Sequence, residues 1–342
     1  MLKLVATAIA MILILKNPST AANAVQGALR TWYESVAPAM FPFLLLTPML
    51  TCRESMRAYE RIFGKILPKL FRLPGSAAPA IAIGMIAGSP AGAIVAAGSG
   101  LDSKTRERVA CCVCGPSAGF LVAGIGERML GSAEKGAVLL MAQVIAQIAL
   151  LFATRGKNTP RESTSFPEKK DSNAAMILIS VAANMAAYAL AAALIAKTIG
   201  VPAVQTAILP VLDLPSGAKA LAEANLPERV KFMLIAAACG WSGMCIIHQN
   251  LAACPMRRIR FMITRTISAA VMLLLAPILE KTAGNAMRSP DFFAISALAA
   301  AIFAVPALVG IGNTLFLNKQ KSAKKRQNPA KSRKNHNMMC CN

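Results

Sequence analysis

Acids, aromatics and histidines are scarce in this chain. Aromatics make up 5% of its 342 residues, and histidine and tryptophan occur twice each. Charged residues reach 15%, short of the roughly 25% usual in a soluble domain. This scarcity removes most catalytic apparatus. No HExxH sequence occurs, the acids inside apolar stretches are isolated, and the one histidine outside the C-terminal tail is His248. An enzyme is therefore not expected. The nine cysteines have no histidine or carboxylate at metal-ligand spacing, so no metal is expected, and their crowding at Cys111, Cys112 and Cys114 reads as small buried hydrophobes rather than a disulfide framework. Cys340 and Cys341 form no prenylation box, because Met339 stands fourth from the end.

Apolar residues are abundant, at 56%, with a mean hydropathy of +0.53. Such a chain belongs in a lipid bilayer. Its runs approach or exceed the roughly 20 apolar residues needed to cross the hydrocarbon core. Eight spans are expected, near 3–15, 32–51, 109–130, 133–154, 174–197, 230–252, 262–280 and 291–317. Frequent Ala, Gly and Ser suit close helix packing in lipid. The fold class is all-α, a polytopic membrane helix bundle.

Two apolar stretches are interrupted alike. Pro90, Gly92, Ala93, Cys114, Gly115 and Ser117 recur 125 residues later as Pro215, Gly217, Ala218, Cys239, Gly240 and Ser242. A helix broken by Pro and Gly frees backbone groups that lipid cannot satisfy, so it persists only where protein or a polar cavity covers it. Matched breaks in two halves mark a solute site in carriers built from repeats. The Pro- and Gly-dense segments 74–100 and 200–222 read as re-entrant hairpins.

Charge supplies the orientation. With the N-terminus inside, the inner segments hold Lys3, six basic residues in 53–72, three in 102–108, five in 155–172, four in 257–265 and eight in 318–342, which is 27 of 37. A hairpin crossing fully would move later loops to the other side and erase much of this bias. Three spans lie between the hairpins, an odd number, so the second repeat is inverted relative to the first. Both termini are then cytoplasmic, in the cell membrane.

The candidate solute-binding set is Ser89, Pro90, Gly92, Gly115, Ser117, Asp213, Ser216, Gly217, Gly240 and Ser242. The serines offer hydroxyls beside broken backbone, or simply bond their own helices. Helix fragments starting at the breaks present unpaired N–H groups suited to an anion. Asp213 is the sole acid between Asp171 and Glu223, at the end of an apolar run. An intramembrane acid points to a coupling ion, proton or sodium; the alternative is a cap on the following helix. His248 and Gln249 close the second broken span, as a proton carrier or as interfacial residues.

Several blocks resemble the YlbJ family of sporulation integral membrane proteins: Gly27-Ala28-Leu29 with Trp32, Val36, Pro38 and Phe41-Pro42-Phe43; Phe71-Arg72-Leu73-Pro74-Gly75; Gly84 and Gly88-Ser89-Pro90-Ala91-Gly92-Ala93; Leu212 to Gly217; and Gly240-Trp241-Ser242-Gly243. The resemblance covers roughly 24–255. It implies a nucleoside-recognition or Gate domain related to concentrative nucleoside transporters, a forespore membrane, and movement of dipicolinate into the spore. The chain departs from that pattern at Ser89, where an aromatic is usual, at Ile94, near which a basic residue is usual, and at Cys114 to Ser117, where an Asn-rich block is usual. These departures bear on the solute.

The chain divides into N-terminal spans (1–52), an interfacial amphipathic helix (53–73) that Pro68 would end or kink, a first Gate-like repeat (74–154), a linker (155–173), a second repeat with C-terminal spans (174–317), and a disordered tail (318–342). The tail carries eight basic residues and no acid, which fits contact with anionic lipid. It lacks interleaved aromatics, so nucleic acid is not expected. The N-terminus imitates a signal peptide, with Ala22-Asn23-Ala24 as a cleavage-like site, although family-like sequence resumes directly after it. The expected function is transport of a small polar, anionic metabolite; a nucleoside carrier or a membrane scaffold of the spore are the alternatives. The oligomeric state is not legible.

Overall fold

The computed structural model describes residues 2–50, 52–156 and 174–283. The expected last span, the basic tail and nearly all of the linker lie outside the described residues. Among those described, every regular element is helical.

Helix α1 (Leu2–Lys16) is apolar between Lys3 and Lys16 apart from Thr7, and it meets α2 (Pro18–Thr31) at a bend of 101°. Asn17 breaks the helical backbone there, and Pro18 occupies the first helical position, where its missing N–H has no partner to lose. A wide turn at Trp32–Val36 joins α2 to α3 (Ala37–Leu50). The amphipathic stretch forms two helices, α4 (Arg53–Phe63) and α5 (Ile66–Phe71). Met56 and Tyr59 are buried, while Ile62, Ile66 and Leu70 are exposed. The break falls at Gly64–Lys65 rather than at Pro68. Pro68 lies in the first turn of α5, where no amide is required.

The first hairpin is α6 (Ala78–Ile86) and α7 (Ala91–Gly98). It is followed by α8 (Ser103–Val113), a break, a wide π-type helix at Phe120–Glu127 continued by the single turn α9 (Arg128–Leu130), and then the straight α10 (Ala133–Ala153). After α11 (Ala174–Ile199) the order repeats. A second hairpin is made by α12 (Pro202–Leu212) and α13 (Leu214–Glu223), a second broken helix by α14 (Glu228–Trp241) and α15 (Gly243–Ala253), and a second straight helix by α16 (Arg258–Ala283). Starting points keep the spacing found in the sequence. α8 and α14 begin at 103 and 228, and α10 and α16 at 133 and 258, a difference of 125 in each case.

Both hairpins close at the equivalent glycine. A side chain at Gly92 would lie 2.6 Å from the Cα of Gly84 on α6, and one at Gly217 would overlap the backbone of Pro210 on α12. The lack of a Cβ lets the two arms touch, so dispersion between backbones replaces the hydrophobic drive that lipid cannot supply. Gly240 does the same between α14 and Ala269 of α16, at 2.5 Å.

Among the described residues, four helical stretches are long and apolar enough to cross a membrane: Ala133–Ala153, Ala174–Ile199, Glu228–Ala253 and Arg258–Thr282; the bent pair at the N-terminus is a fifth candidate. This is fewer than eight. The break after Val113 leaves the expected span at 109–130 without a continuous helix, α1 is short and bent away from α2, and 291–317 lies outside the described residues.

Side-chain contacts fix which ends meet. Arg108, midway along α8, donates to Leu151 O (2.6 Å) and Thr154 Oγ1 (3.2 Å) at the end of α10, and Ser103 to Thr105 at the start of α8 line one cavity with Thr154. At the other end of α10, Lys135 pairs with Glu228, the first residue of α14, at 3.7 Å. Thus α8 and α14 start from opposite ends of α10. Arg72 and Asp102 line one cavity, so the segment 73–101 leaves and rejoins the same end of the bundle.

Candidate functional site

Each hairpin tip is packed on the break of its own repeat. In the first, Gly88 holds φ 66, and a Cβ there would lie 2.5 Å from the Ser117 amide nitrogen. The next amide, Ser89 N, donates to Gly115 O at 2.8 Å. In the second, the contact is made from the other partner: Gly243, φ 77, stands where a Cβ would be 2.8 Å from Leu214 N. Trp241 Nε1 also donates to Val211 O at 2.9 Å.

The first break has a physical cause in Pro116. A continuing helix would need the amide of residue 116 to satisfy Cys112 O, and proline has none. Arg265, reaching across from α16 with 1% exposure, supplies donors instead, from Nη2 to Cys111 O (3.0 Å) and Cys112 O (3.2 Å). Two glutamines of α10 do likewise. Gln147 Nε2 donates to Val113 O (3.0 Å) and Gln143 Nε2 to Pro116 O (2.9 Å). Ser117 Oγ accepts from Phe120 N (3.1 Å) and so caps the following helix. The carbonyls freed by the break are thereby paired with buried protein donors, as a low-dielectric surrounding demands.

The second break is a one-residue interruption with no loop. Ser242 takes φ 72, and its hydroxyl donates to Cys239 O at 3.2 Å. Asp213 is fully buried and ends α12 while starting α13; its Oδ2 accepts from Ser216 N at 3.0 Å. The capping alternative is thus realised, yet it uses one oxygen. Oδ1 is buried without a hydrogen-bond partner, with the Cys245 thiol beside the carboxyl group.

These elements converge on one internal cavity of about 20 Å³. Ser89, Ser117 and Phe120 face it from the first repeat, Asp213, Cys245 and Gln249 from the second, and α11 closes it with Val181 and Met185. Another orphan acceptor belongs to Asn250. Its Nδ2 donates to Ser89 Oγ (2.8 Å), a buried link from the second broken helix to the first hairpin tip, while Oδ1 has no partner. Asp213 Oδ1 and Asn250 Oδ1, like Ser216 Oγ and the Oε1 atoms of Gln143 and Gln147, are buried without a partner, a desolvation debt of roughly 1–3 kcal/mol each that a donor would relieve and, at Asp213, a proton or a cation.

Of the ten sequence candidates, Ser89, Ser117 and Asp213 line the cavity. The others support it. Pro90 precedes α7, Gly92 and Gly217 close the hairpins, Gly115 lies against Gln143 and Arg265, Ser216 gives its amide to Asp213, Gly240 meets α16, and Ser242 shapes the second break. His248 is exposed and faces Tyr188, its Nδ1 3.4 Å from the hydroxyl, whereas Gln249 does line the cavity. Sequence reading missed Asn250, Cys245, Gln143, Gln147 and Arg265. A signal existed for the glutamines, two amides four residues apart on an otherwise apolar helix. Arg265 was hidden by its basic neighbours Arg257, Arg258 and Arg260, which resemble an interfacial cluster. All seven described cysteines are free and six are buried. Among the described residues no group of three or more metal-ligating side chains occurs.

No family model matches the chain, and no solved structure matches it. Over 169 residues it is 24% identical to the sporulation integral membrane protein YlbJ of Bacillus subtilis (strain 168). That match covers 46% of this chain and 41% of the length of YlbJ. The chain is a membrane protein, helical throughout the regular elements of its described residues, and similar in part to a sporulation integral membrane protein.

Proposed function

We propose that the chain is a membrane carrier for a small polar, anionic metabolite of the dipicolinate kind, working by alternating access between two inverted repeats. The observation that carries this reading is the meeting of both hairpin tips and both helix breaks at one buried cavity. The inverted relation is supported by the spacing of 125 residues between equivalent helices and by the opposite ends of α10 at which α8 and α14 begin. The re-entrant reading of the first hairpin is supported by Arg72 and Asp102 bordering one cavity. The bilayer orientation, with both termini cytoplasmic, rests on the distribution of Lys and Arg. The similarity to a sporulation integral membrane protein supports a role in sporulation, and a forespore membrane is the location this reading gives the carrier.

About 20 Å³ holds roughly one water, so this conformation is closed to a solute. Opening requires the hairpins to separate, and the Asn250 to Ser89 hydrogen bond is a contact that must then break. An anion beside Asp213 needs that carboxylate neutralised, which gives a proton or sodium ion its coupling role. Purified protein in liposomes should take up dipicolinate or another carboxylate under a proton or sodium gradient. Asp213→Asn should insert normally and lose the dependence on that gradient; uptake with unaltered ion dependence would remove Asp213 from coupling. Nucleoside uptake without carboxylate uptake would make the chain a nucleoside carrier. Uptake of nothing by folded protein would favour a scaffold.

A further inference from the structure

A second polar site lies at the end of the bundle where α8 starts and α10 ends. A cavity of about 700 Å³ opens there, lined by Arg72, Lys104, Arg108, Arg257 and Arg260 against two acids, Asp102 and Glu107. Both acids are already engaged. Asp102 Oδ1 caps α8, accepting from Lys104 N (3.0 Å) and Thr105 N (3.2 Å). Glu107 is held by Arg257 Nε (2.9 Å), Arg257 N (3.0 Å) and Arg260 Nη1 (3.0 Å).

Arg108 is the informative member. It is 7% exposed, and its donors reach neutral oxygens: Thr154 Oγ1, Phe71 O and Leu151 O. Among the described residues no carboxylate pairs with it, and Arg155 and Arg260 stand close enough to repel its charge. Burying a guanidinium among like charges is unfavourable unless an anion completes the site. Five cations converge on the cavity from three parts of the chain, the end of α5, the first half of α8 and the start of α16. That arrangement suits a ligand with several oxygens pointing in different directions. Arginine forks pair well with phosphate oxygens, and basic pockets between helices at the membrane surface take phosphate headgroups.

We infer that this cavity binds a phosphate group, carried either by an anionic lipid headgroup or by a soluble phosphate. The inference does not depend on what, if anything, the chain transports. It is tested by thermal unfolding of the full chain in nanodiscs at constant ionic strength, across three conditions: neutral phosphatidylcholine, the same with added inorganic phosphate, and discs containing phosphatidylglycerol. Stabilisation by inorganic phosphate in neutral discs identifies a soluble ligand, and stabilisation by phosphatidylglycerol discs alone identifies a headgroup. In either case Lys104→Gln should weaken the apparent affinity about tenfold, Arg108→Gln should weaken it further, and Lys135→Gln, at the other end of α10, should leave it unchanged. Lys104 is exposed, so its variant reports on binding even if Arg108→Gln fails to fold. Absence of stabilisation in both arms, or equal stabilisation of wild type and Lys104→Gln, overturns the site.

Discussion

At the scale of single residues, Gly88 and Gly131 separate two demands that glycine meets. Both hold a left-handed backbone, at φ 66 and φ 63. Gly131 has open space where a Cβ would go, whereas at Gly88 that position lies 2.5 Å from the Ser117 amide. Gly131→Ala should therefore cost only the conformational penalty, about 1–2 kcal/mol. Gly88→Ala should cost clearly more, on the order of 3 kcal/mol or above, because rigid backbone must also move. Unfolding midpoints of the two variants in the same detergent decide the matter; equal losses would mean that the tip is not seated on the break. The buried polar residues follow the same logic of complementarity. Gln143, Gln147 and Arg265 are tolerated in apolar surroundings because Pro116 creates carbonyls that need them.

At the scale of elements, the first broken helix is tied to the second straight helix at two points ahead of its break. Arg265 holds its carbonyls inside the bundle, and Glu107 clamps Arg257 and Arg260 at the bundle end. Burial alone would raise the Glu107 carboxyl, but the hydrogen bonds of Arg257 and the charges of Arg260 and Arg257 outweigh it and hold the group below its ordinary range. A carboxyl depressed in the folded state contributes stability above its unfolded value, near 4.3, and loses that contribution as pH falls through the folded value. Thermal stability of the wild type should thus show a component that is level above about pH 5 and declines below about pH 4. Glu107→Gln should be less stable at neutral pH and lack that decline. A variant with an unchanged acid limb would show that the clamp contributes nothing to folding. The amphipathic pair α4 and α5 shows a related point, since Tyr59 is buried by the bundle rather than laid on its surface.

At the scale of the whole molecule, the basic segments read as inner loops gather physically. Arg72, Lys104, Arg108, Gly156, Arg257 and Arg260 border one cavity, while Lys135 and Glu228 meet at the far end of α10. This grouping makes the topology testable without any knowledge of the solute. In a background lacking native cysteines, Lys104→Cys and Ser132→Cys should react with an impermeant thiol reagent from opposite faces of the membrane, with Lys104→Cys on the cytoplasmic face. Labelling of both from one side would overturn the orientation and, with it, the inverted arrangement of the repeats.

Much of this was written in the chain itself. The apolar composition determined a membrane bundle, because nothing else can hold so many uncharged residues. Pro116 and Pro215 determined where helices stop, because proline lacks an amide, and Gly92 and Gly217 determined where hairpin arms can touch, because glycine lacks a Cβ whatever surrounds it. The interval of 125 residues foretold the recurrence of helix starts at 103 and 228 and at 133 and 258. The number of full spans was less legible, since a broken stretch and a continuous one have the same hydropathy. What only the tertiary structure decided is which groups repair the breaks and face the cavity. Asn250 reaches Ser89 across 161 positions, and Arg265 reaches Cys112 across 153. Local rules decide whether a carbonyl is freed; the packing of distant helices decides which donor is near enough to take it.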